Sequence, residues 1–175
     1  MTGVAADDVL NIRALADADA DIIAGLAPDA TDVEVVFPSL DGRWGQIRAG
    51  ERTGWVAMRF LSRQPGQTGD SYPAITACYG NEPYWSLETD GEQAQLTLSG
   101  ETLVDGYLRD GTRSANRIDI FGFAAGDAEG EARGVLRREL CSDGMSDRLF
   151  GLSITLIYVG ARGHSTLSGC CVLSN

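Results

Sequence analysis

Short apolar runs broken by turn residues at intervals of about ten occupy nearly the whole chain, the spacing of an all-β barrel or sandwich. In the first third they fall at residues 9–13, 21–26, 33–36, 44–48 and 53–56, with Pro38 and an Asp41-Gly42 turn between the third and fourth. Residues 57–61 read as a single 3₁₀ turn. The alternation of Val33 and Val35 with Glu34 and Val36 is imperfect, as expected in a small barrel whose bent strands change faces. Alanines at 14, 16, 18 and 20 would suit a helix. Asp17, Asp19, Asp21, Gly25 and Pro28 would not, so the segment is read as a loop feeding a strand.

Residues 64–73 hold two prolines, two glycines and no aliphatic side chain, the composition of a linker. Beyond it the β pattern resumes at 84–87, 94–98, 103–108, 118–123, 135–140, 152–159 and 165–172, with a turn at 160–163. Residues 124–134, rich in Gly, Ala and acids, read as a mobile hairpin tip. The expected fold is all-β: a five-stranded barrel over 1–63, a linker over 64–73, and a disulfide-stabilised antiparallel barrel or meander of about six or seven strands over 74–175. No repeat of 20–50 residues is visible.

Charge narrows the function classes. Of 175 residues, 25 are acidic and 14 basic, for a net charge of −11. Every basic residue is Arg. Nucleic-acid binders displace counterions with a basic surface, and this chain would repel a polyanion, so no nucleic-acid partner is expected. Residues 7–34 carry seven Asp and one Glu against the single Arg13, a solvated acidic face. Asp17, Asp19 and Asp21 lack the glycine and distal Glu of an EF-hand calcium loop. No run of about 18 apolar residues could span a bilayer as a helix.

The four cysteines, Cys78, Cys141, Cys170 and Cys171, are spaced by 63, 29 and 1. None forms the close Cys or Cys/His cluster that zinc and redox motifs need, so disulfides and an oxidising compartment are expected. That places the protein in the periplasm or at the cell surface. The opening MTGVAADDVL has neither the basic nor the apolar region of a secretory signal, so a native leader is expected to have been removed. Cys170 and Cys171 are adjacent on an expected strand and point to opposite faces. They therefore have different partners, in either of two arrangements.

Along its whole length the first part resembles a bacterial SH3-like domain. The resemblance is carried in order by Leu10-Asn11-Ile12-Arg13, Ile23-Ala24-Gly25-Leu26, Pro28 with Val33-Glu34-Val35, Gly42-Arg43-Trp44-Gly45-Gln46-Ile47, Gly54-Trp55-Val56 and Phe60-Leu61. Ala14-Leu15-Ala16-Asp17 departs from the small residue, Gly and Pro usual there. The resemblance implies a five-stranded barrel that binds peptides, peptidoglycan or neighbouring proteins without catalysis. Trp44 and Trp55 are candidate ligand platforms. Each sits in a strand flanked by Gly, which favours a place in the core instead.

The second part resembles a family of uncharacterised bacterial envelope proteins, often lipoproteins. It does so through Cys78-Tyr79-Gly80-Asn81-Glu82-Pro83-Tyr84-Trp85, Cys141-Ser142-Asp143-Gly144-Met145-Ser146-Asp147-Arg148 and Gly169-Cys170. Leu149-Phe150-Gly151 replaces the aromatic and Pro usual after the Arg. The family has no established activity. The resemblance implies pairing of Cys141 with Cys170, and hence of Cys78 with Cys171. Such links would bring the two motifs together, so Glu82, Tyr84, Trp85, Asp143, Met145, Asp147 and Arg148 form either a candidate recognition surface or, the reading slightly favoured, a stabilised barrel end.

Catalytic chemistry finds little support. The lone His164, in a Gly-flanked turn, has no evident nucleophile to serve, and no zinc ligand set is apparent. Asp143 and Asp147 could in principle work as a carboxylate pair, but Ser142, Asp143 and Ser146 are good turn formers and Arg148 can fork onto a carboxylate. No metal, cofactor or catalytic residue is expected. The sequence points to a non-enzymatic envelope binding protein whose partner is peptidoglycan or an envelope protein. An inhibitor of a basic, lysozyme-type hydrolase is the alternative, and a hydrolase is the weakest reading.

Overall fold

The computed structural model describes residues 1–50, 52–64, 71–145 and 147–173, Asp110 by its backbone alone. The chain divides into two compact units, residues 1–67 with 145–149, and residues 68–144 with 150–175. Both are built from β-strands.

In the first unit, β1 (Leu10–Arg13), β2 (Ile22–Leu26), β3 (Val35–Pro38), β4 (Trp44–Ala49) and β5 (Arg52–Ala57) form an antiparallel sheet in the order β2-β1-β5-β4-β3. A 3₁₀ turn, Met58–Phe60, follows where the sequence predicts one. The core is small: Leu10, Ile12, Ile47 and Val56, with Leu26, Val35 and Phe60 packed around them. Gly45 and Gly54 face this core because nothing larger fits. A Cβ at Gly45 would lie 2.5 Å from Met58 Sδ, and one at Gly54 would lie 2.4 Å from Ile12 Cγ2.

The second unit holds β6 (Ile75–Asn81), β7 (Tyr84–Thr89), β8 (Gln93–Leu98), β9 (Glu101–Arg113), β10 (Ile120–Gly126), β11 (Gly130–Ser142), β12 (Leu149–Gly160) and β13 (Gly163–Leu173). They close into a barrel in the order β10-β11-β12-β13-β6-β7-β8-β9. An eight-stranded barrel has an interior just wide enough for side chains to fill. Trp85, Leu87, Leu96, Val104, Phe121, Leu136, Ile154 and Leu156 fill this one, each worth about 1.5–3 kcal/mol of burial. The alternation is apolar inward and largely polar outward, the reverse of barrels with lipid-facing walls and wet lumens.

Three expectations are corrected here. The second unit has eight strands rather than six or seven, because β6 escapes the pattern. Its Ala77, Cys78 and Gly80 are buried without an aliphatic run to announce them. The linker is shorter than 64–73. Residues 65–70 lie outside the described residues, but Pro73 is buried and Tyr72 packs edge-on against Phe121, ring centroids 5.8 Å apart. Lastly, 124–134 is no loose tip. β10 and β11 pair from Ile120↔Arg137 to Gly126↔Glu131, and Ala125 and Ala132 are fully buried. The small residues there make room: a Cβ at Gly134 would sit 2.2 Å from Phe123 Cε1, and one at Gly130 would sit 2.6 Å from Tyr158 Cε2.

Candidate functional site

The disulfides organise the second unit. Cys78 and Cys171 face each other across β6 and β13, Cα atoms 3.9 Å apart, and both are fully buried. Cys141 joins Cys170, Cα atoms 5.6 Å apart, on the other face of the same strand, as adjacency on a strand requires. Two disulfides and no free cysteine are consistent with an oxidising, extracytoplasmic compartment.

The second bond ties the end of β11 to a strand that is not its neighbour, since β12 lies between β11 and β13. Cys141 Sγ also approaches Gly169 O at 3.3 Å, a contact rather than a hydrogen bond because an oxidised sulfur carries no proton. Beyond it, Asn81 Nδ2 on β6 donates to Asp143 O at 2.6 Å. Residues 141–143 are thus fastened to β13 and β6 as well as to their own strand.

Beside this strap the outer wall holds a cleft of about 330 Å³, open to solvent. Outward positions of four strands line it: Arg137 and Glu139 from β11, Ser153 and Thr155 from β12, Ser168 from β13, Tyr79 and Asn81 from β6. The register aligns Ser153 with Cys170, Cys170 with Tyr79, and Thr155 with Ser168. Ser153 Oγ donates to Glu139 Oε1 at 2.5 Å, which ties two of the lining side chains together. The lining includes hydroxyls, an amide, the two carboxylates of Glu139 and Asp143, a guanidinium and one phenol. It can hydrogen-bond a neutral, hydroxyl-rich ligand and offers one ring for stacking. Among the described residues no group of three or more His, Cys, Asp or Glu could hold a metal ion.

The expected recognition surface is divided. Trp85 is removed from it altogether: it is 1 % exposed, in the barrel core, with Nε1 donating to Ser168 O at 3.1 Å. Its side chain points inward because Gly80 and Gly169 leave room for the indole. A Cβ at Gly80 would meet Nε1 at 2.0 Å, and one at Gly169 would meet Cζ2 at 2.9 Å. Glu82 and Tyr84 are exposed beside the cis Glu82–Pro83 peptide. Asp143 lines the cleft. Met145, Asp147 and Arg148 belong to the segment 145–149 that groups with the first unit, where Arg148 Nη2 reaches Gly50 O at 3.4 Å. Ser146 lies outside the described residues.

In the first unit Trp44 and Trp55 are half-buried and alternate with buried Gly45, Ile47, Gly54 and Val56. The glycines, not the tryptophans, point into the core. Trp44 pairs with Ala57 and Trp55 with Gln46, which makes the two indoles diagonal neighbours on one face.

Sequence reasoning missed Arg137, Glu139, Ser153 and Ser168. The spacing Arg137-x-Glu139-x-Cys141 was the available signal, since it puts two charged groups on the same face as a disulfide cysteine. No family model, curated protein or solved structure matches this chain.

Proposed function

We propose that this protein is a non-enzymatic binding protein of the bacterial cell envelope. In this reading the barrel cleft holds the hydroxyl-rich glycan of the cell wall, and the SH3-like first unit contributes a second attachment to wall or protein. The observation that carries it is the cleft itself. The barrel interior is filled, so a ligand is met on the wall. There a rigid sheet and the Cys141–Cys170 bond hold Tyr79, Asn81, Glu139 and Ser153 in place before any ligand arrives, which lowers the ordering cost of binding.

Sedimentation of the full chain with purified peptidoglycan tests the reading. The protein co-sediments, and Glu139→Ala and Tyr79→Ala each weaken binding about tenfold, roughly 1.4 kcal/mol. Glu88→Ala, elsewhere on the outer wall, leaves it unchanged. No co-sedimentation, or equal binding by all three variants, overturns it.

The net charge of −11 favours one second reading, an inhibitor of a basic cell-wall hydrolase drawn in by opposite charge. Loss of lysozyme activity on adding the protein, without sedimentation on peptidoglycan, would select that reading.

A further inference from the structure

The first unit carries a feature that the glycan reading does not use. Strand β2 lies at the edge of its sheet and, among the described residues, pairs only with β1, in the register Leu10↔Leu26, Asn11↔Gly25, Ile12↔Ala24 and Arg13↔Ile22. Its outer row of N–H and C=O groups therefore faces away from the sheet. Edge strands are commonly blunted by Pro, by brevity, by a β-bulge, by Lys or by a covering loop. The opposite edge, β3, is four residues long and ends in Pro38. β2 has no Pro; its register with β1 shifts once, at Ile23, and leaves Ala24 to Leu26 paired in step, and Ile22 to Gly25 are all exposed, with Ile22 57 % and Ile23 38 % accessible.

What surrounds this edge is acid. Asp7, Asp8, Asp17, Asp19, Asp21 and Asp29 are all exposed. The loop before β2 is closed by its own bonds: Arg13 Nη1 donates to Ala20 O at 2.7 Å, Ala14 N to Asp21 O at 2.9 Å, and Asp19 N to Asp17 Oδ1 at 2.9 Å. Arg13, the single basic residue in 7–34, thus gives one guanidinium N–H to a backbone carbonyl, while the carboxylates are exposed and among the described residues converge on no metal site. A second copy of this chain, with net charge −11, would bring like charges edge to edge. A strand of opposite charge would not.

We propose that β2 is a docking edge for an extended basic segment of another protein, which adds as a sixth strand. Main-chain hydrogen bonds to the free row of β2 would supply the register, aliphatic side chains of the segment would cover Ile22 and Ile23, and its Arg or Lys side chains would reach Asp17, Asp19 and Asp21. This assignment is independent of the barrel cleft.

The test titrates the full chain with a peptide of about ten residues, the length of a long strand, alternating Arg and Val. Three comparisons accompany it: the same peptide N-methylated at alternate residues in either phase, a Glu/Val peptide, and the triple variant Asp17→Asn, Asp19→Asn, Asp21→Asn. The Arg/Val peptide binds at about 50 mM salt and weakens about tenfold at 300 mM. One methylation phase abolishes binding, the Glu/Val peptide does not bind, and the triple variant binds at least about tenfold more weakly. No binding at low salt overturns the proposal, as does binding indifferent to both methylation phases, to peptide charge or to the three aspartates. Because methylation alters only the peptide, the strand-addition step is tested without any variant that could misfold.

Discussion

Trp85 Nε1 on β7 donates to the carbonyl of Ser168 on β13, two strands away around the wall. The indole crosses the inner surface of β6 to do so, and Gly80 is the residue it crosses. Gly80→Ala places a methyl group within 2.0 Å of the ring nitrogen, so the ring or the strand must move. A destabilisation of about 3 kcal/mol is expected, at the upper end for overpacking, read from urea unfolding. Wild-type stability in Gly80→Ala would mean that the ring does not cross Gly80.

Removing each disulfide separately should rank them. The sequence separations are 93 for Cys78–Cys171 and 29 for Cys141–Cys170. Loop closure assigns these about 4.6 and 3.6 kcal/mol. Cys78→Ala with Cys171→Ala should therefore cost about 1 kcal/mol more than Cys141→Ala with Cys170→Ala, plus whatever the two buried sulfurs lose in packing. Thermal unfolding under non-reducing conditions measures both. If the cleft holds glycan as proposed, the Cys141→Ala, Cys170→Ala variant should also bind it more weakly, because the lost bond holds the strap beside the cleft.

Tyr72 offers a substitution expected to stabilise. Its hydroxyl is buried with no hydrogen-bond partner among the described residues, and burial pushes its pKa up to about 12. A folded-state value above the unfolded one of about 10 means that the stability the neutral hydroxyl shares in is intact below pH 10. It is lost as pH rises toward 12. Tyr72→Phe should gain about 1 kcal/mol at neutral pH and flatten the alkaline fall. A loss of stability at neutral pH would show that the hydroxyl has a partner after all.

Asp127 contributes to the acid limb. Its carboxylate accepts from the backbone N–H of Asp105 at 2.8 Å, Glu129 at 2.7 Å and Gly130 at 2.9 Å, and these bonds hold its pKa below the usual carboxylate range. A depressed value contributes stability above the unfolded pKa of about 4, lost as pH falls through the folded value. Asp127→Asn should lower the melting temperature by a few degrees at pH 7. The two proteins should converge as pH falls through the folded value. A constant difference across that window would exclude the ionised carboxylate as the cause.

The all-β class and the opposite faces of Cys170 and Cys171 were legible because each follows from spacing alone: turn residues about every ten positions for the strands, and adjacency for the cysteines. The character of small residues was not legible. Gly and Ala at 124–134 look like a flexible tip when only composition is read, yet Gly134 and Gly130 are small because Phe123 and Tyr158 occupy the space beside them. The same confusion placed Trp85 on a surface and hid β6. In each case a glycine marks where a ring passes, and only the partner strand reveals the ring. The cleft was illegible for a different reason: its residues come from four strands, and pairing the last strand with the first of the barrel is what puts Tyr79 of β6 beside Cys170 of β13.

The adjacency of Cys170 and Cys171 also makes oxidation a proofreader of strand alignment. Cys171 bonds inside the barrel and Cys170 outside it, so exchanging their partners demands more than a swapped bond. β13 would have to slide by one residue, turning Leu167 out to water and Ser168 into the apolar interior. An oxidised isomer with the wrong pairing is therefore an inside-out strand. It would be betrayed by exposed apolar surface, and a thiol–disulfide exchange catalyst that recognises such surface could reject it without inspecting the cysteines.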